Sequence, residues 1–190
     1  MKRHFRHYLA IAAGLFCLAC THYSPKPAGY YCIELPEPDY RWQAFPAFDC
    51  RISEQAQITV DTTSGNGNFF NIVYPRWNAQ IHCSHLIIKN DNLAELSEEC
   101  RNFVYLHAIK ADAIREQRYE NVEYKVYGIL YDIRGKVASP TQFVLTDSIR
   151  SFLRGALYFD NMPNPDSIAP VLEYINNDIR VLMESFRWKQ

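Results

Sequence analysis

Hydrophobic and polar positions along this chain change period several times, and each change marks an element. Residues 8–19 (YLAIAAGLFCLA) form an unbroken apolar run of 12 residues directly after Lys2, Arg3 and Arg6. From residue 50 the period is two: residues 50–61, 68–74 and 79–88 alternate as strands, with Ser64 to Gly67 and Pro75 to Asn78 as the turns. The period then lengthens. Leu93, Leu96, Cys100, Phe103, His107, Ala111 and Ile114 recur every three or four residues, which predicts one face of a long helix, with Asn92 and Glu95 as a capping box at its start. Period two returns over 124–133, 141–146 and 151–159, with a turn at Arg134-Gly135-Lys136. A last apolar stripe, Ile168, Val171, Leu172, Ile175, Ile179, Leu182, Met183 and Phe186, predicts a final helix capped by Asp166 or Ser167, with Pro170 in its first turn.

Three strands, a helix, three strands and a helix imply an α+β fold. Short turns pair successive strands antiparallel, and each helix must bury its stripe on a sheet face. The expected architecture is a mainly antiparallel sheet built as two three-stranded meanders, with two long helices packed on it. Parallel βαβ winding finds no support.

The amino-terminal run is too short to span a bilayer, which takes about 20 residues, and its positive flank identifies it as an export leader. It ends in Leu18-Ala19-Cys20, a small residue before a cysteine, as in the leaders of bacterial lipoproteins. The expected organisation is a lipoprotein signal peptide over 1–19, a lipidated tether over 20–48 rich in proline (Pro25, Pro27, Pro36, Pro38, Pro46), and a single globular domain over 49–190. Cys20 is the expected lipidation site. Two or more acyl chains, of which palmitate is one, hold a protein durably on a membrane.

Lys2, Arg3 and Arg6 belong to the leader, so the mature chain has 17 basic residues against 21 acidic ones. That balance argues against nucleic acid, and without a basic cluster, attachment to the bilayer falls to the lipid. Cys32, Cys50, Cys83 and Cys100 remain; in an oxidising compartment they allow three connectivities, among which a Cys32–Cys50 disulfide is the expected one. Their spacings match no zinc motif.

The chain carries no phosphate loop, nucleophile elbow or HExxH sequence. His82-Cys83-Ser84-His85 is the one suggestive cluster, but alternation along a strand sends His82 to one face and Cys83 and His85 to the other, leaving at most a Cys83/His85 ligand pair. Asp132, Asp147 and Asp160 fall near strand ends, where aspartate caps turns more often than it does acid/base work. His107 reads as a core histidine, and Ser148 has no histidine to activate it. The sequence therefore points to no catalytic residue, cofactor or metal.

The run VYGILYDIRGKVASPTQFVLTDSIRSFLRGALYF (126–159) resembles the GldD family of gliding-motility lipoproteins of the Bacteroidetes. So do Pro27 to Tyr30, Phe70-Asn71 through Tyr74-Pro75, the Ile81-His82 strand, Ile109 to Ile114, and Pro163-Asn164 with Asp166 to Pro170, all in family order. The resemblance implies an envelope component required for gliding and linked to the type IX secretion system that exports adhesins. It implies partners among other gliding and secretion proteins, no enzymatic activity, and an acylated cysteine at Cys20. Thr21 to Ser24 lack an acidic run of the kind that marks surface export, so the anchored domain is expected to face the periplasm. The alternatives are a periplasmic ligand-binding module, with a pocket between sheet and helix lined by tyrosines, and behind it a metal-dependent hydrolase using the His82 to His85 region.

Overall fold

In the computed structural model, residues 33–60, 68–106, 111–160 and 165–189 are described. They belong to one compact unit, Ile33–Gln190, that contains both sheets and the whole core of the described residues. Ten strands occur among the described residues: β1 Tyr40–Ala44, β2 Phe48–Ser53, β3 Gln57–Val60, β4 Phe69–Tyr74, β5 Ala79–Ile87, β6 Ala111–Asn121, β7 Val126–Gly135, β8 Thr141–Thr146, β9 Ser151–Phe159 and β10 Arg187–Trp188. Two helices join them, α1 Leu93–Leu106 and α2 Pro165–Ser185. Among the described residues no helix is long and apolar enough to cross a membrane.

The fold is α+β with antiparallel pairing throughout, but it is not two three-stranded meanders. A seven-stranded sheet runs β3-β4-β5-β9-β8-β7-β6, and a three-stranded sheet runs β1-β2-β10. The two meanders read from the sequence, β3-β4-β5 and β7-β8-β9, are fused edge to edge where β5 pairs with β9 over its full length, Ala79↔Phe159 to Ile87↔Ser151. The reason is physical: a free edge in mid-molecule would leave a row of backbone N–H and C=O groups without partners. The predicted strand over 50–61 is also two strands, because a turn after Ser53 carries β3 into the large sheet while β2 stays in the small one.

Both helices differ from the sequence-based expectation. The long helix is described over Leu93–Leu106 and does not reach Ile114, because Ala111–Asn121 is a strand, β6, paired with β7. The spacing of Ala111 and Ile114 continues the helical stripe by coincidence; what decides is the outer edge of β7, whose ladder β6 completes. As the edge strand, β6 exposes Arg115, Glu116, Arg118 and Glu120, charges that discourage pairing with another chain. The final helix begins at Pro165, so Asp166 and Ser167 lie inside it and Pro170 is past its first turn. Within 20–48, the segment read as tether, residues 40–44 form β1 and pair with β2. The predicted turn at 64–67 and His107 lie outside the described residues.

Each face of the large sheet has its own cover. Ile81, Cys83, Leu130, Phe143, Leu145, Leu153 and Leu157 point to one side and meet Val171, Ile175, Ile179, Leu182 and Met183 of α2 together with Phe48, Cys50 and Ile52 of β2. The opposite side is covered by α1, of which only Cys100 and Val104 are buried. Gly155 sits on the α2 side, paired with Phe143 across β8 and β9, and an added Cβ would run into the Cε1 and Cζ atoms of that ring. Phe143 is buried and cannot swing aside. Gly155→Val is expected to cost about 1–3 kcal/mol, the usual cost of overpacking, read as a lower urea midpoint at unchanged slope. A midpoint equal to that of the parent would show that the ring has room to move.

Candidate functional site

Helix α1 lies over the large sheet without filling the space beneath it. Between them is a cavity of about 460 Å³. Its floor comes from four adjacent strands whose registers align side chains in rows. One row runs His82, Ala156, Gln142, Tyr131 across β5, β9, β8 and β7. The next runs Ser84, Arg154, Val144. Cys100, Phe103 and Val104 of α1 form the roof, and Phe69 and Tyr158 flank the floor.

Polar groups in this floor differ in how well they are paired. Arg154 Nε donates to Ser84 Oγ at 2.8 Å, and its guanidinium lies 5.1 Å from the centre of the Phe103 ring. The His82 Nδ1 lies 2.8 Å from Asn71 Oδ1, and the ring meets Tyr158 edge-on at 5.2 Å. Gln142 is buried, and its Nε2 has no hydrogen-bond partner among the described residues. Of the many tyrosines, Tyr131 and Tyr158 line the cavity.

The residues singled out from sequence are dispersed. His82 is exposed on the α1 side, whereas Cys83 is buried in the core on the other side, as alternation requires. His85 packs beside Phe48 and Trp188 at 6.3 and 6.0 Å, and burial lowers its basicity, partly offset by Asp147. Asp147 accepts hydrogen bonds from the backbone N–H groups of Ile149, Arg150 and Ser151, a turn cap. Asp160 accepts one from Gln80 Nε2 at 2.9 Å. Strand registers put Asp132 and Asp160 toward one end of the sheet and Asp147 at the other, so the three do not converge. No group of three or more His, Cys, Asp or Glu positioned to hold a metal occurs among the described residues.

Cys50, Cys83 and Cys100 are buried thiols. Burial pushes Cys50 up to about 12, with Asp49 adding to the effect, and burial likewise raises Cys83 and Cys100, the latter opposed by Arg154. Such thiols are not nucleophiles at neutral pH. Cys32, the expected partner of Cys50, lies outside the described residues, as does Cys20.

One polar cluster escaped the sequence reading. Asp178 of α2 is 3 % exposed and accepts from Tyr40 Oη at 3.0 Å and Tyr74 Oη at 3.1 Å. Burial raises its carboxyl above the ordinary range, opposed by hydrogen bonds from Tyr40, Ser53 and Tyr74. A signal was present: Asp178 interrupts the apolar stripe one turn after Ile175 and one before Leu182. This cluster ties β1 and β4 to α2 inside the protein and faces no cavity named above.

A family model described as gliding motility lipoprotein GldD matches residues 20–188. Among curated proteins none matches. The solution structure of cyanobacterial PsbP (CyanoP) from Synechocystis sp. PCC 6803 is similar in fold, with a TM-score of 0.50 at 10% identity over 86% of this chain and 100% of that one.

Proposed function

We propose, from the premise that the chain belongs to the gliding motility lipoprotein GldD family, that it is a non-catalytic, lipid-anchored component of the cell envelope acting in gliding and in type IX secretion of surface adhesins. The observation that carries this reading is where the family match begins: residue 20, the cysteine that follows the leader. Residues 1–19 are then the signal peptide and Cys20 the acylated amino terminus, facing the periplasm. The globular domain is that of residues 49–190, to which β1 adds the end of the preceding segment.

The mechanism is tethering. Twelve residues, hence thirteen Cα-to-Cα steps, separate the lipid at Cys20 from Ile33, where the compact unit starts. Such a segment reaches at most about 45 Å at roughly 3.5 Å per residue, so the domain stays near the bilayer at high effective concentration for other envelope proteins. The dispersal of His82, His85, Asp132, Asp147 and Asp160 supports a binding role rather than a catalytic one. Deletion of the gene is expected to abolish colony spreading and to deplete the cell surface of secreted adhesins, both restored by the wild-type gene. Normal spreading and normal secretion in the deletion strain would sink the proposal.

A further inference from the structure

The two faces of the large sheet differ in a way that packing alone does not explain. On the α2 side β5, β9 and β8 present Ile81, Cys83, Leu153, Leu157, Phe143 and Leu145, an ordinary dry core. On the α1 side the same three strands present Ser84, Arg154 and Gln142 beneath a helix, with exposed His82 at the rim. Burying polar groups under a helix is costly unless each finds a partner. Here one does not: Gln142 is 8 % exposed, and its Nε2 is unpaired. Among the described residues Arg154 forms no ion pair with a carboxylate and neither aspartate nor glutamate lines the cavity.

We infer that the cavity beneath α1 binds a fatty-acid-sized monocarboxylate, its head accepting hydrogen bonds from Gln142 Nε2 and the Arg154 guanidinium and its apolar body lying against Phe103, Val104 and Val144. The inference is independent of the lipid-anchor reading. Three observations support it. The volume, about 460 Å³, lies within the range of roughly 300–1,000 Å³ usual for small-molecule sites. At about 30 Å³ per non-hydrogen atom, the share of a liquid water, it holds about 15 such atoms, and dodecanoate has 14. Gln142 and Arg154 are diagonal neighbours on one sheet face, because Gln142 pairs with Ala156 and Arg154 with Val144. Diagonal positions lie about 7–8 Å apart, a gap that a carboxylate bridges. The floor between them is kept open by Ala156, the small residue in the row between His82 and Gln142. Entry is from the side where His82, Phe69 and Phe103 are exposed.

The test uses residues 21–190, which contain the whole compact unit with its own core and both sheets and need no detergent. Calorimetric titration with dodecanoate below its micellar concentration is expected to show saturable 1:1 binding, with dodecanol at least tenfold weaker because it lacks the charge that Arg154 recognises. Backbone amide shifts of the unaltered protein should move in β5, β8, β9 and α1. Ala156→Phe, which fills the floor, should abolish binding. Gln142→Leu should weaken it tenfold or more while leaving the free protein as stable or more so, since it removes an unpaired buried donor. Absence of saturable binding to the unaltered protein, shifts confined to other elements, or undiminished affinity in folded Gln142→Leu would each overturn the inference.

Discussion

Replacing Cys20 with alanine is expected to abolish incorporation of labelled palmitate and to leave residues 1–19 on the protein. The argument is chemical. The diacylglyceryl group forms a thioether with the cysteine sulfur, alanine offers no nucleophile, and lipoprotein processing cuts before the modified residue. The apolar run over 8–19 supplies 12 residues against about 20 for a stable span, so it cannot replace the lipid as an anchor of the mature kind. Mass spectrometry of the amino-terminal peptide checks the outcome: acylated and starting at Cys20 in the wild type, unacylated and starting at or near Met1 in the variant. A wild-type peptide that begins after Ala19 with an unmodified cysteine would identify an ordinary secretory leader and remove the anchor from the proposed function. In the deletion strain, Cys20→Ala should fail to restore spreading.

The largest effect expected inside the domain is at Asp178. Its carboxylate accepts from Tyr40 Oη and Tyr74 Oη; Tyr74 is 2 % exposed and Tyr40 only half-buried, so Asp178→Ala strands the Tyr74 hydroxyl where water cannot reach it. Each unsatisfied buried group costs about 1–3 kcal/mol. With the full cost at Tyr74 and a smaller one at half-buried Tyr40, a loss of roughly 2–4 kcal/mol follows, a large share of the marginal stability of a domain. Urea denaturation reads it directly, and a change below about 0.5 kcal/mol, the scale of a surface substitution, would show that the cluster does not hold α2 to β1 and β4. The pH dependence has a definite sign. Because burial raises the Asp178 carboxyl in the folded state, the folded protein holds that proton more tightly than the unfolded chain. The group's contribution is therefore most favourable below the ordinary value of 3.8 and declines as pH rises through the raised folded value. Relative to Asp178→Asn, which does not titrate, the wild type should lose stability across that window as pH rises. A difference that is flat or of opposite slope would contradict the burial of an ionisable carboxyl here.

Most of the strands that line the cavity were legible in the sequence. β8 and β9 occupy the predicted residues 141–146 and 151–159, because each has one face on a dry core and hydrophobic alternation reports that face directly. The apolar stripe of α2 was equally legible for the same reason. β6 was not: as an edge strand it exposes most of its side chains on both sides, so its residues show no alternation and the preceding helical spacing runs on into it. β1 and β10 are short, and they are strands only because β2 lies between them to pair with.

The chemistry divides in the same way. Asp178 was visible as a charge on an apolar stripe, yet its partners Tyr40 and Tyr74 stand 138 and 104 residues away, and nothing local selects them. Gln142 and Ala156 carry no chemical motif, and the cluster that drew attention to His82 joins it to neither. The three become one row only when β5 pairs with β9 and β9 with β8.

The sequence by itself determined the α+β class and the strands and helix with one buried face, because each of these is written in the character of neighbouring residues. The tertiary structure alone decided that two meanders fuse into one sheet, that residues 111–121 leave the helix to close its edge, and that a cavity with an unpaired amide lies beneath α1. Those outcomes depend on satisfying backbone hydrogen bonds and filling space between segments far apart in the chain, and no local pattern records them.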